Sequence, residues 1–516
     1  MKLIFFIILI FSISISNGLK DNESCTSYIN NKSTYIQIPC GQSLNTACPS
    51  FTLAIESSTS YTSVVFDLNG ATNTFFNIDC NSSNNTNSTI NVSGITFVNG
   101  YQENQASILV NHGTSSVVSF NRCVFNNVTS KGGFDINGKS TSMGGALSLL
   151  MLSTINTAFL QSSKVSFISC TYQNSNIIGV KGGFLYVARG IDIAVSINQC
   201  VFRNITGDAG AIIYTVGNYL EQTYTMYNTI ISNCNFKESA VYMSASFSAS
   251  NVTFTNNIGG GVGLYLSGAK LYTISNSNFT NNSNISSVYV SASYIGPQFK
   301  NCIFSNNSNT YSNNSSGSIT LSSSGAIFQR CEFKNNNANN GAAIYASGKY
   351  IGQSISLEDT LLSRNKAIYN GGSIYLSNSI LIVSENTTFD NNMANLGSVV
   401  FCNGSQIQIF NSSSIVFNDN TDFSTNNSKE SSNGITCKIG GVNSCSIKGN
   451  LEKLEIYGVT GNTNSEDSEN KDYGLPAALK AVVIITIVCG FILITSFSIF
   501  LVRRLREIKR YKPIDF

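Results

Sequence analysis

Apolar residues fall in short runs, among them Ile344-Tyr345, Ile355-Ser356-Leu357, Ile374-Tyr375-Leu376 and Ile380-Leu381-Ile382-Val383. Alternation at a period of two is the signature of strands, because successive side chains point to opposite faces. Asn-Asn and Gly-Gly pairs separate the runs and supply the left-handed backbone that tight turns need. No single run could bury its own apolar side chains, so burial has to come from stacking one run on the next.

The runs recur with a motif. Cys331-Glu332-Phe333-Lys334-Asn335-Asn336 is followed by Gly341-Ala342-Ala343-Ile344-Tyr345, and Thr387-Thr388-Phe389-Asp390-Asn391-Asn392 by Gly397-Ser398-Val399-Val400. The aromatic recurs at Phe97, Phe125, Phe202, Phe236, Phe254, Phe279 and Phe304, with Tyr172 and Leu362 at equivalent points and Phe417 last. Its spacing is most often about 25 to 30 residues, in the solenoid range. Two breaks disturb the register: Phe236 to Phe254 is short and Phe125 to Tyr172 is long. The expectation is an all-β parallel β-helix of roughly 11–13 coils, with Phe over Phe, Ile over Ile and Asn over Asn. At about 4.8 Å per coil the rod would be about 55–60 Å long.

Phe254-Thr255-Asn256-Asn257 and Gly144-Gly145-Ala146-Leu147, with their copies over roughly residues 90 to 425, resemble the repeat of the polymorphic outer membrane proteins. Related eukaryotic surface proteins carry a similar repeat. The resemblance implies a right-handed β-helix of the pectin-lyase-like type. Cys48-Pro49-Ser50-Phe51 onward is similar to the opening segment of the eukaryotic proteins and suits a short capping helix starting near Pro49.

Two apolar segments set the expected topology. Lys2, the run Leu3 to Ile15 and Ser16-Asn17-Gly18 read as a secretory signal over 1–18. Ala481 to Val502 suits one bilayer-spanning helix, and Arg503-Arg504-Leu505-Arg506 opens a basic tail behind it. Positive residues stay cytoplasmic, so a type I single-pass protein is expected, with its N-terminal domain extracellular or lumenal. The remaining boundaries are a disulfide-bonded cap over 19–60, repeats over 61–425, a second cap and polar stalk over 426–475, the span over 476–502 and the tail over 503–516.

Composition narrows the partners. Charged residues make up 11% of the chain, while Pro is scarce at 5 and Trp is absent. The net charge of +3 comes from the tail: residues 19–480 hold 23 Lys/Arg and 25 Asp/Glu. Phosphate binding needs a basic surface, so nucleic acid is excluded as a partner.

Of 14 cysteines, Cys25, Cys40, Cys48 and Cys80 cluster near the N-terminal cap. Cys123, Cys170, Cys200, Cys234, Cys302 and Cys331 each lie two residues before a repeat aromatic. Stacked aromatics imply stacked cysteines, with Cys123–Cys170, Cys200–Cys234 and Cys302–Cys331 as disulfide candidates. The alternative is a ladder of buried free thiols. No Cys-x2-Cys spacing occurs and the only histidine is His112, so no metal or other cofactor is expected. Asn-x-Ser/Thr triplets, candidates for N-glycosylation, begin at Asn22, Asn31, Asn81, Asn84, Asn87, Asn91, Asn127, Asn204, Asn251, Asn278, Asn281, Asn284, Asn306, Asn313, Asn314, Asn386, Asn403, Asn411 and Asn426.

Many β-helices cleave acidic polysaccharides, using convergent carboxylates or bound calcium. Asn420-Thr421-Asp422 matches one element of the polygalacturonase-type pattern, but the Asp-Asp, Gly-His-Gly and Arg-Ile-Lys elements are missing. Asp208, Glu238, Glu358-Asp359 and Asp390 fall on different coils, and only Glu358-Asp359 has bases nearby, Arg364 and Lys366. The expectation is therefore adhesion or recognition of a glycan or cell-surface protein, with Tyr345 and Tyr375 among the platforms. Polysaccharide cleavage and a structural coat are the alternatives. Tyr511-Lys512-Pro513-Ile514 has the Tyr-x-x-apolar form of an endocytic sorting signal, with Tyr511 and Ile514 as its key positions. Residence is thus expected at the cell surface or in endolysosomes. Tyr511→Ala should raise surface abundance, read by surface labelling; an unchanged distribution would remove the signal.

Overall fold

The computed structural model describes most of residues 163–422, shorter stretches between 26 and 150, and 434–437, 445–449 and 456–457. Every regular element among them is a strand. The predicted signal, transmembrane helix and basic tail lie outside the described residues, as do Cys25, Cys40, Cys48, Cys80 and His112.

The described strands form a right-handed parallel β-solenoid. Two faces merge into one 31-stranded sheet and the third is a 15-stranded sheet. One coil shows the construction. Ala326–Gln329 makes the first face, and Arg330 turns the chain at φ 52°. Glu332–Lys334 makes the second face and Asn335 turns at φ 55°. Asn337–Asn340 leads to Gly341, and Ile344–Ser347 makes the third face. A Cβ on Gly341 would stand 2.3 Å from the Ile344 carbonyl oxygen and 2.9 Å from Cβ of Tyr375, so this turn accepts glycine alone.

The two corners recur as columns of left-handed residues. One runs through Arg122, Ser169, Gln199, Asn228, Asn251, Asn276, Asn301, Arg330, Asp359 and Asn386. The other runs from Asn99 through Asn127, Asn174, Asn204 and Asn233 to Asn391 and Asp419. Asn dominates because its short amide makes the left-handed region tolerable for a residue with a Cβ.

Inside, like stacks on like. Phe97, Phe125, Tyr172, Phe202, Ile231, Phe254, Phe279, Phe304, Phe333, Leu362, Phe389 and Phe417 are register partners in sequence. Phe279, Phe304 and Phe333 stack at centroid spacings of 4.8 Å, within 7° of parallel. This row corrects the sequence register at one point. Ile231, not Phe236, fills the aromatic position of its coil, while Phe236 pairs with Gly207 and Gly259 beyond the next corner. The long gap from Phe125 to Tyr172 is a single coil, since the two residues are direct partners.

The N-terminal segment also departs from expectation. Thr52–Glu56 is a strand, parallel to Thr89–Ser93, where a capping helix was predicted. Alternating Leu53 and Ile55 favour the strand. Thr26–Asn30 instead folds back antiparallel on Ser33–Gln37, adding a strand to that edge of one face.

Beside the phenylalanine row runs a second one that is wholly buried: Asn257, Asn282, Asn307, Asn336, Asn365, Asn392 and Asn420, each at most 1% exposed. Nδ2 of Asn336 donates to the Phe304 carbonyl at 3.0 Å and to Oδ1 of Asn365 at 2.9 Å. Its Oδ1 accepts from N and Nδ2 of Asn307, both at 3.1 Å. The same set repeats down to Asn420. Every polar atom of these amides is used, so burial carries no penalty, whereas removing one amide strands several partners. Asn336→Ala should cost about 3 kcal/mol in denaturant unfolding. Asn335→Gly, at the exposed left-handed corner beside it, should change stability by less than about 0.5 kcal/mol. Equal losses from the two would refute this account of the ladder.

Candidate functional site

The third face carries an aromatic column on its outer side. Strands such as Ile344–Ser347 and Ile374–Ser377 alternate, so Ile and Ala or Leu point into the core while Tyr and Ser point out. Register places Tyr186, Tyr214, Tyr242, Tyr265 and Tyr289 in one line, then Thr320, then Tyr345, Tyr375 and Phe401. Rings from Tyr214 to Tyr289 stack at 4.6 to 4.9 Å, and Tyr345 on Tyr375 at 4.8 Å with planes 3° apart. Ser267, Ser291, Ser322, Ser347 and Ser377 form a parallel hydroxyl row two residues farther along each strand. Lys181 lies over the Tyr214 ring, its Nζ 5.5 Å from the centroid.

Stacked rings cover one another's faces. The half-buried Tyr214, Tyr242, Tyr265, Tyr289 and Tyr375 therefore present ring edges and phenol hydroxyls, not the open platforms expected of Tyr345 and Tyr375, while Tyr186, Tyr345 and Phe401 are buried. The sequence expectation named only these two of the set; Tyr-x-Ser, which recurs at Tyr242, Tyr265 and Tyr289, is the signal that extends it. The line breaks at Thr320, which is buried and bonded to the Ser286 hydroxyl at 2.9 Å.

The acids do not converge. Asp208 is buried, accepting from the Gly179 amide at 2.6 Å and from Lys237 at 3.3 Å. Glu358 accepts from Gln329 and Asp359 from Asn386, both at 2.8 Å, across neighbouring coils. Asp390 accepts from the Ser363 hydroxyl at 3.3 Å, and Arg364 is a corner residue at φ 55°. Asn420 of the Asn420-Thr421-Asp422 triplet closes the buried ladder, and Asp422 accepts from the Gly397 and Ser398 amides. Each carboxylate is thus held by a turn or by the adjacent coil. Among the described residues no three His, Cys, Asp or Glu side chains gather as metal ligands.

Five of the six repeat cysteines share a corner row with hydroxyl residues, and Cys234 stands at the other corner. Cys123, Cys170, Cys200, Cys234, Cys302 and Cys331 are free buried thiols. Each thiol donates to the carbonyl two residues back, as Cys331 does to Gln329 at 3.5 Å. Thr229, Ser277 and Thr360 make the same bond at equivalent corners. Thiol and hydroxyl do one job here, which is why the residue alternates along the row. The proposed Cys200–Cys234 pairing fails on register: the coil below Cys200 supplies Thr229, while Cys234 stands in the asparagine row above Asn257. Burial pushes the Cys234 thiol up to about 12. A disulfide that sequence left unassigned joins Cys402 to Cys445, 43 residues on, with Cα atoms 5.9 Å apart.

Among candidate glycosylation sites, Asn127, Asn204, Asn251, Asn281, Asn284, Asn306 and Asn386 are exposed left-handed residues. Asn91, Asn278 and Asn403 are half-buried strand residues. Asn22, Asn31, Asn81, Asn84, Asn87, Asn313, Asn314, Asn411 and Asn426 lie outside the described residues. Comparison with protein-family models, curated proteins and solved structures finds no match to the chain. The likeness to polymorphic outer membrane protein repeats rests on the motifs alone.

Several tyrosines of the column titrate late. Partial burial raises Tyr214, Tyr265 and Tyr375, and burial together with Tyr375 and Tyr289 holds Tyr345 at about 12. An unfolded tyrosine ionises near about 10. Between those values the unfolded chain has lost protons that the folded chain keeps, so stability falls as pH rises and is fully present below 10. The share of phenolate absorbance that Tyr345→Phe and Tyr375→Phe remove should appear together with loss of β-structure as pH approaches 12. Removal of absorbance that forms near pH 10 with the fold intact would contradict the burial of this pair.

Proposed function

We propose that the chain is a membrane-anchored recognition protein whose solenoid projects from the cell surface or an endolysosomal lumen and binds an uncharged glycan along its third face. The observation that carries this reading is the stacked tyrosine column flanked by the serine row. These two rows offer hydroxyls and ring edges at the coil spacing with no charged side chain in either row. Hydroxyl rows beside aromatic rings suit a neutral polyhydroxylated chain lying along the rod. The apolar segments near both ends and the basic tail support the type I topology, and the Cys402–Cys445 disulfide suits an oxidising compartment.

Cells displaying the full chain should be incubated with a panel of neutral and acidic polysaccharides, scoring both retention and new chain ends. Retention of a neutral glycan without cleavage is the expected result, and Tyr265→Ala combined with Tyr289→Ala should weaken it about tenfold or more. New chain ends would mark an enzyme and direct attention to Glu358 and Asp359. If neither appears, a coat or protein-binding role replaces this one.

A further inference from the structure

The two corner columns treat asparagine in two opposite ways. At each corner the chain passes out, in, out: the left-handed residue is exposed, the next is buried, and the third returns to the surface. Asn-x-Ser/Thr fits this geometry with the middle residue inward. Val128, Ile205, Val252 and Thr387 are all buried between an exposed asparagine and an outward threonine. By contrast, none of the seven ladder asparagines, from Asn257 to Asn420, begins such a triplet. The triplets of Asn281 and Asn306 instead enclose ladder members, Asn282 and Asn307, in their middle position.

The exposed amides already have an inter-coil bond. Nδ2 of Asn127 donates to Oδ1 of Asn99 at 3.0 Å, and Nδ2 of Asn204 to Oδ1 of Asn174 at 3.0 Å. Nδ2 of Asn251 donates to Oδ1 of Asn228 at 2.8 Å, and Nδ2 of Asn386 to Oδ1 of Asp359 at 2.8 Å. An amide nitrogen has two hydrogens, and this bond uses one of them.

We propose that N-linked glycans stand on the two corner columns, at Asn127 and Asn204 on one and at Asn251 and Asn386 on the other, each amide keeping its bond to the neighbouring coil. The inference rests on the secretory topology proposed above. In the transfer, Nδ2 bonds to C1 of the first sugar of a lipid diphosphate oligosaccharide. The bond from C1 to the diphosphate oxygen breaks, one amide proton leaves, and the lipid diphosphate departs with the bonding pair. The remaining N–H is the one that reaches the adjacent coil. Sugars on these columns would line the edges of the second face and leave the tyrosine column of the third face uncovered.

The test uses the full chain expressed in a eukaryotic secretory host. Glycans are removed by an amidase in heavy-oxygen water, which marks each occupied asparagine as a labelled aspartate, and the peptides are then mapped by mass spectrometry. Label at all four positions is expected. Label at other triplets with these four unmodified would overturn the proposal while leaving the secretory topology standing. Label nowhere would remove both. A second comparison addresses the retained bond. An endoglycosidase that leaves one sugar on the amide should not shift the melting temperature. The amidase product, which lacks the N–H and sets a carboxylate against Asp359 at position 386, should melt at least about 2 °C lower. Equal melting of the two preparations would overturn the retained bond.

Discussion

Everything in this molecule depends on the vertical match between one coil and the next. A parallel solenoid offers each side chain two neighbours of its own kind at a fixed rise, so an unpaired polar group in one coil becomes a bonded one only if the coils above and below agree. The buried asparagines meet that condition completely. From Asn282 to Asn392 each side-chain amide donates to a carbonyl of the aromatic row and to the next asparagine, and accepts from the backbone N–H and Nδ2 of the one before; the amide-to-amide bonds require asparagine on both sides. An apolar row alone would tolerate slippage, because Phe packs acceptably on Leu or Ile. The amide row does not, and so it fixes the register that the phenylalanine row fills.

The same logic explains why the thiols remain thiols in the interior. At the first corner the inward residue must satisfy the carbonyl two positions behind it, and Cys, Ser and Thr all can. Cysteine adds apolar volume at that point in exchange for a weaker hydrogen bond. The Cys402–Cys445 disulfide lies at the end of the stack, where the repeat has thinned and, among the described residues, the strand Ser446–Gly449 pairs only with Gln406–Ile409. A covalent tie there does what further coils do elsewhere.

Much of the fold was legible in the sequence because its rows are written as identities. Phe over Phe and Asn over Asn could be read off the spacing, and Asn-Asn announced both an exposed corner and a buried amide. The reading failed where a row changes residue type without changing role. Ile231 stands in for an aromatic, so the eye moves to Phe236; Thr229 stands in for a cysteine, so Cys200 looks like a partner of Cys234. The tyrosine column was only partly visible, since Tyr345 and Tyr375 share a motif that Tyr214 and Tyr242 carry in more varied surroundings. What no local pattern contains is that those rings would lie face to face, which is decided by the rise between coils.

The coils between Phe254 and Phe333 have upper and lower surfaces that are nearly the same: a phenylalanine, a buried asparagine and a left-handed asparagine at matched places. Removing the stretch from one of these phenylalanines to the next would rejoin Phe254 to Phe304, and Asn257 to Asn307, so both rows would close over the seam, while third-face bonds such as Ser286 to Thr320 would be lost. Copying it would likewise keep both rows continuous. For this part of the chain, length is a quantity that unequal recombination can change by whole coils while the phenylalanine and asparagine rows stay continuous, so the number of coils can evolve independently of the chemistry each coil carries.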